Sequence, residues 1–421
     1  MVKDGEKVEL EKFSIGVGDR FGKECLAQLE AVNKAKKLGV NLVPVWNKSF
    51  REHSIIGSDP ADTKRIVQSA IKTFKWNDSY YIDADHINYN SVDHFMVYSN
   101  FFTIDVGSFI NTKATEEETK AFLKETSNFI GTIEIPCLIN KYRIDDKLLL
   151  EIAKKYLAAI KEAGRIYRHI LSKRKQNDFV VEISFDEVDQ PQTPIELFFI
   201  IAAVAYEKIP IQTIAPKFVG KFLKGIDYIG DVSIFEKEFE EIILVIEYSK
   251  RIFTLPKNLK ISVHSGSDKY SIYPIINKLI KKHNLGIHLK TAGTTWLEEL
   301  IGLVLSGEKG LNLVKEIYSE GYTRYDELLQ PYLHSVEIFK DKLPLPLEVM
   351  KWNQDQLVNA LRHELKSKLL DTNFRQLLHI SFKIAAEKGK IYYDAMEGAR
   401  EIINNCVTNN LYERHIKQIF I

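Results

Sequence analysis

Short apolar runs recur along this chain, most of them followed by a helical pattern, and few folds are open to a sequence written that way. The runs are SIGVG (14–18), NLVPVW (41–46), SYYIDA (79–84), FFTIDV (101–106), FVVEISF (179–185), IPIQTI (209–214), LKISVH (259–264) and GIHLK (286–290). Strands that alternate with helices pair in parallel, because a crossover holding a helix brings the chain back to the same end of the sheet. Between the first two runs, KECLAQLEAVNKAKKLG places apolar residues three and four apart and stops at a glycine, as an amphipathic helix does. Eight such strands predict an α/β fold of the (β/α)8 TIM-barrel class. An open dinucleotide-binding sheet would carry GxGxxG after its first strand, and that motif is absent there.

Two segments exceed the bare barrel. Residues 107–178 separate the fourth and fifth strands by far more than one crossover, and contain the amphipathic stretches TEEETKAFLKETSNFIG and DDKLLLEIAKKYLAAIKEAGRIYRHILSKRK. This reads as a helical insertion and a candidate cover for the barrel mouth, with the face of the barrel it covers left open. After Trp296 the pattern is almost wholly helical, through QDQLVNALRHELKSKLL and NFRQLLHISFKIAAEKG. The expected organisation is a catalytic barrel over 1–300, insertion included, and a helical extension over 301–421.

Charge and cysteine content narrow the partners and the compartment. The 58 basic and 57 acidic residues of the 421 are interspersed, so no basic footprint for nucleic acid appears. The most apolar stretch, IELFFIIAAVAYEKI, falls short of the roughly 20 residues a membrane span needs. The opening MVKDGEKVELEKF lacks the apolar core of a signal peptide, and the three cysteines (Cys25, Cys137, Cys406) lie far apart with no CxxC spacing. A cytoplasmic protein with a small-molecule partner is expected, with no membrane or nucleic-acid partner, and with homo-oligomerisation left open.

In a barrel, alternate strand residues point inward, and those near the C-terminal ends line the active face. That parity selects Asp83 and Asp85 with His86 on the third strand, Asp105 on the fourth, Glu182, Ser184 and Asp186 on the fifth, Gln212 on the sixth, Ser262 and His264 on the seventh, and His288 and Lys290 on the eighth. Burying so many ionisable groups costs several kcal/mol each unless they pair or coordinate a cation, so a divalent metal (Zn, Mn, Ni or Co) is the expected cofactor. The candidate ligands are His86, His264 and His288, with Glu182 as a fourth ligand or as the group that orients one. The bland alternatives are a loop histidine bonded to backbone for His86 and a satisfied core histidine for His288. The loop Ser265, Gly266, Ser267, Asp268, Lys269 leads into YSIYPIINKLIKKHN, so its N–H groups lie at a helix start where an anion is favoured. Lys269 and Lys290 would reinforce that anion site, and Arg20 in GVGDRF is a further candidate for a substrate carboxylate.

Two resemblances give the constellation a chemistry. The layout of IDADH, VEISFDEVD, VHSGSDK and HLKTAGTTW resembles the metal site of class II aldolases, which implies His86 and His264 as ligands and Asp85 as the group that moves protons, with Glu182 as second candidate. The sixth strand departs from that pattern: it carries Gln212 where the aldolases supply a metal histidine. Over most of its length, and most specifically through ISVHSGSDKYSIYPI and HLKTAGTTWLEELIGL, the sequence is similar to the tagaturonate epimerase family. That resemblance implies a metal-dependent interconversion of the sugar acids D-tagaturonate and D-fructuronate. The inverted carbon lies β to the ketone, so enolisation cannot reach it, and cleavage of the carbon–carbon bond followed by re-addition is the expected route. An aldolase that releases its fragments, or a barrel that merely binds sugar acids, are the competing readings.

Overall fold

All eight apolar runs become strands of one closed parallel barrel. The computed structural model describes residues 8–186, 188–364 and 369–421. Its strands are β1 (Phe13–Gly18), β2 (Leu42–Ser49), β3 (Tyr81–Ile87), β4 (Phe101–Asp105), β5 (Gly131–Glu134), β6 (Lys141–Ile144), β7 (Val180–Ser184), β8 (Thr213–Ala215), β9 (Lys260–Val263) and β10 (Ile287–Ala292). The barrel runs β1-β10-β9-β8-β7-β4-β3-β2 and closes on itself, while β5 and β6 form a separate antiparallel hairpin. Pairing places His288 beside both Ser14 and Ser262, and Glu182 beside Thr103 and Thr213, which sets the layers of the barrel interior.

Local signals explain where the flanking helices start. Asp59 caps the helix Pro60–Phe74 and Thr193 caps Pro194–Tyr206, each in a reciprocal capping box with proline at the helix start. The second of these is apolar on every side because its Phe198 and Phe199 are covered in turn by Phe129 of the insertion.

The insertion differs from its expected form in two respects. It contains the hairpin β5–β6, whose four-residue strands are too short to announce themselves by alternation. It also packs along the outer helices, with Tyr206 donating to the carbonyl of Glu125, and none of its residues lines the cavity at the barrel mouth.

Residues beyond Trp296 build a second apolar core around Leu300, Tyr318, Leu357, Phe374 and Tyr392, into which Phe21 reaches from the loop after β1. The helix expected over 354–370 ends at Leu361, and 365–368 of that stretch lie outside the described residues, as do residues 1–7 of the charged opening segment. The last turns return to the barrel, where Phe420 packs edge-on against Phe13 at 5.5 Å. Among the described residues no helix is long and apolar enough to cross a membrane, and all three cysteines are free thiols.

Candidate active site at the barrel mouth

Inward-facing polar side chains stack in three levels. The lowest is closed by the N-terminal segment: Gln212 accepts from the backbone N–H of Leu10 at 2.7 Å and donates to the carbonyl of Val8 at 2.9 Å. Gln212 is therefore an anchor for that segment, far down its strand, and this position has no bearing on a metal ligand at the mouth. His288 lies in the same level. Its Nδ1 is 2.9 Å from Ser14 Oγ, its ring packs 5.4 Å from that of Phe101, and its Nε2 has no partner among the described residues. Burial pushes its pKa down to about 3, so it is a neutral core imidazole. The expectation that His288 joins His86 and His264 is corrected here. Strand parity places all three inside, but His288 sits one inward step below Lys290, whereas His264 stands beyond the last residue of β9.

The middle level is an ion cluster. Lys290 is 1% exposed, and its Nζ lies 2.8 Å from Asp83, 2.8 Å from Asp85 and 3.4 Å from Glu182, while also donating to Thr103 Oγ1. Burial alone would strip its proton, but the three carboxylates hold the ammonium above its ordinary range. Burial opposes ionisation of Asp85 and Glu182 as well. Lys290 and the neighbouring imidazoles outweigh it and hold both well below the carboxylate range. For Asp83 burial wins over Lys290, and its pKa rises to about 6. Lys290 does not line the cavity, so its role is to balance these acids and not to contact an anion from solvent.

The top level is where a cation fits. His86 Nε2 and His264 Nδ1 both approach the same oxygen of Asp186, at 3.4 and 3.1 Å, and one ligand atom from each residue lies within 4.8 Å of the others. The remaining nitrogen of each ring is backed by a deeper acid: His86 Nδ1 by Asp85 at 2.7 Å, and His264 Nε2 by Glu182 at 2.7 Å. Two imidazoles and a carboxylate, each ring oriented by a second carboxylate, form a donor set of the kind that holds zinc or a neighbouring transition metal. Charge agrees with it. Burial disfavours protonated rings, yet Asp85 and Asp186 push His86 up, and Asp186 and Glu182 push His264 up, so the acids demand positive charge at this spot. Asp186 appeared among the inward-facing residues but was not among the expected ligands. The signal available was its two-residue spacing from Ser184 beyond the strand end, which put it on the same side as Glu182.

Three non-glycine residues at the strand ends, His86, Ser265 and Thr291, have φ of +51°, +49° and +58°. Left-handed backbone costs such residues about 1–2 kcal/mol each, and its concentration around one cavity marks a site held in shape by its surroundings.

The loop after β9 departs most from expectation. Its donors are already engaged: Gly266 N–H bonds the carbonyl of Lys290, Asp268 N–H bonds His415 Nε2, and Lys269 N–H bonds Tyr273 Oη, each at 3.1 Å. The Lys269 ammonium is buried against the carbonyls of Leu223, Ile226 and Ser267 at 2.7–2.8 Å. Asp268 is fully buried among Arg375, His363 and His415. Only Ser265 and Ser267 of this loop reach the cavity wall, so an anion cradle made of Gly266, Asp268 and Lys269 is not what the loop provides. Arg20 does line the cavity. Its Nε lies 3.2 Å from Glu52, and its two terminal nitrogens lie 2.8 Å from the carbonyl of His379 and 3.1 Å from His379 Nε2.

The cavity above the imidazoles measures about 890 Å³, ample for a six-carbon sugar acid, and its floor carries Asp85, His86, Asp186 and His264. A family model described as tagaturonate epimerase matches residues 4–418. The tagaturonate/fructuronate epimerase of Thermotoga maritima is 27% identical over 420 residues, spanning 96% of this chain and 80% of that protein. A glycerol complex of the fructuronate-tagaturonate epimerase from Cohnella laeviribosi superposes with a TM-score of 0.80 at 21% identity, covering 98% of this chain and 82% of that one. The native crystal structure of the same enzyme gives 0.77 at 22%, with the same coverage, and at these identities the structural likeness speaks for the fold.

Proposed function

This chain belongs to the tagaturonate epimerase family, and we propose that it interconverts D-tagaturonate and D-fructuronate by breaking and remaking one carbon–carbon bond. The observation that carries the reading is the convergence of His86, Asp186 and His264 on one point of the cavity floor. These three residues would hold a divalent cation of the Zn, Mn, Ni or Co class, and the Lewis acidity such a cation supplies is what cleavage next to a ketone requires.

The chain's own residues divide the remaining work. Asp85 faces the cavity and is kept ionised by Lys290 and His86, so it is the base placed to take the proton from the hydroxyl on the carbon to be inverted. As that proton leaves, the bond to the neighbouring carbon breaks. Its electron pair moves into the adjacent ketone to give an enediolate, and the inverted centre becomes the aldehyde of a three-carbon acid. The aldehyde turns over and the enediolate adds to its other face, with Asp85 returning the proton. Glu182 is sealed beneath the cavity, and its part is to hold His264 in register.

The test is to strip the purified protein with a chelator, restore Mn, Co, Ni or Zn one at a time, and follow the interconversion by NMR. Activity should vanish and return, and in deuterated water the inverted carbon should carry no deuterium. Activity that survives complete metal removal, or deuterium at that carbon, would overturn the mechanism. Release of free three-carbon fragments would identify an aldolase instead.

A further inference from the structure

With Lys269 buried against carbonyls and Arg20 engaged by Glu52 and His379, the cavity still needs a group to meet the substrate's negative charge. We infer that Lys224 and the Nδ1–H of His379 together bind the carboxylate of the sugar acid and so set the preference for acids over neutral sugars. The inference rests on the epimerase reading for the identity of that acid.

The tautomer of His379 follows from its neighbour. A guanidinium has only donors, so the 3.1 Å contact from Arg20 Nη2 requires His379 Nε2 to be the acceptor, and the ring proton is then on Nδ1. That atom is buried and has no hydrogen-bond partner among the described residues. An orphaned buried N–H loses free energy unless a partner completes it, and His379 is one of the residues that line the cavity. Burial, with Arg20 and Lys224 nearby, keeps the ring from taking a second proton, so the donor is permanent across the physiological range. Arg20 is then a positioning residue: its bonds to the carbonyl and to Nε2 of His379 aim the ring.

Lys224 lies on the loop after β8 and lines the same cavity. Its ammonium has no hydrogen bond or ion pair among the described residues, while its backbone is pinned by a 2.8 Å bond to Ser335. Its charge is felt by both His379 and Glu52, which places the amine at this wall. Of the acids on this side of the cavity, Glu52 pairs with Arg20 and Glu337 with Lys221, so no carboxylate forms an ion pair with Lys224 among the described residues. Gly225, at φ +76°, sits next to the ring: its Cβ position lies in ordinary van der Waals contact with His379 Nδ1, at 3.6 Å. An ammonium and an N–H donor side by side suit the two oxygens of one carboxylate.

The experiment is calorimetric titration of the full chain with D-tagaturonate and, separately, with the neutral ketohexose that carries a hydroxymethyl group in place of the carboxylate. Lys224→Met should weaken binding of the acid about tenfold or more and leave the neutral sugar within about twofold, Lys224→Arg should recover most of the loss, and His379→Leu should weaken the acid by a smaller factor. In turnover the loss should appear in KM with kcat nearly unchanged. Acid binding by Lys224→Met within about twofold of the parent, equal losses for both sugars, or no binding of the acid to the parent protein, would each overturn the inference. Failure of the epimerase reading looks different: the parent would bind the acid in a Lys224-dependent way without interconverting it.

Discussion

His264 is the residue on which the site's chemistry turns, since it faces both Asp186 at the top and Glu182 beneath. His264→Ala should remove bound metal and turnover together, as read by elemental analysis and NMR. Glu182→Gln should keep the fold but lower metal affinity about 10- to 100-fold, the usual cost of losing a group that orients a ligand. Full metal content and activity in His264→Ala would remove the assignment. His288 makes the opposite prediction. With its pKa pushed down to about 3, the unfolded chain binds a proton below the ordinary value of about 6.5 that the folded chain refuses. Its stabilising contribution is complete above that value and is lost progressively as pH falls towards 3. In urea unfolding, the slope of stability against pH between about 4 and 6 should be shallower in His288→Gln by about 1.4 kcal/mol per pH unit. An unchanged slope would show that the ring is not held neutral. Strand parity exposed both histidines as inward-facing but could not tell their depths apart, because depth depends on stagger between neighbouring strands.

At the level of elements, the strand runs and the first crossover helix were legible because burial on both faces writes continuous apolar stretches into each strand. The use made of the loop after β9 was not, since its partners Arg375 and His415 arrive from more than a hundred residues away. The same holds for the π-turn at Asn410–Ile416, which carries His415 and leaves no periodic signature. Contact between β1 and β10 sets a tighter constraint. A Cβ added to Gly16 would stand 3.0 Å from Lys290 Cα and 3.0 Å from Thr291 N, both backbone atoms, beside the register shift between Ile15 and Val17. Gly16→Ala should cost about 1–3 kcal/mol by forcing those strands apart. It should also lower kcat, because the displaced strand carries Lys290. Thermal unfolding and steady-state kinetics measured together check this, and a variant as stable and active as its parent would refute it.

For the molecule as a whole, the decisive joint is the fully buried contact of Arg375 with Asp268. Arg375 Nε and Nη1 bond the carbonyls of Gly225 and Leu361, and Nη2, which holds Asp268, also donates to the hydroxyl of Thr294, so one side chain ties the barrel loops to the helices beyond them. Arg375→Met should destabilise by about 3–5 kcal/mol because Asp268 is left charged and buried, and adding Asp268→Asn should restore part of the loss. Strict additivity in a urea double-mutant cycle would argue against the joint. The same architecture has a consequence for biosynthesis. His379 completes the wall of a pocket whose first residue along the chain is Gly18, so the candidate cation donors and the base are synthesised long before the last residues that surround the cavity. Enclosure of a substrate therefore waits on a helix that is synthesised well after His264.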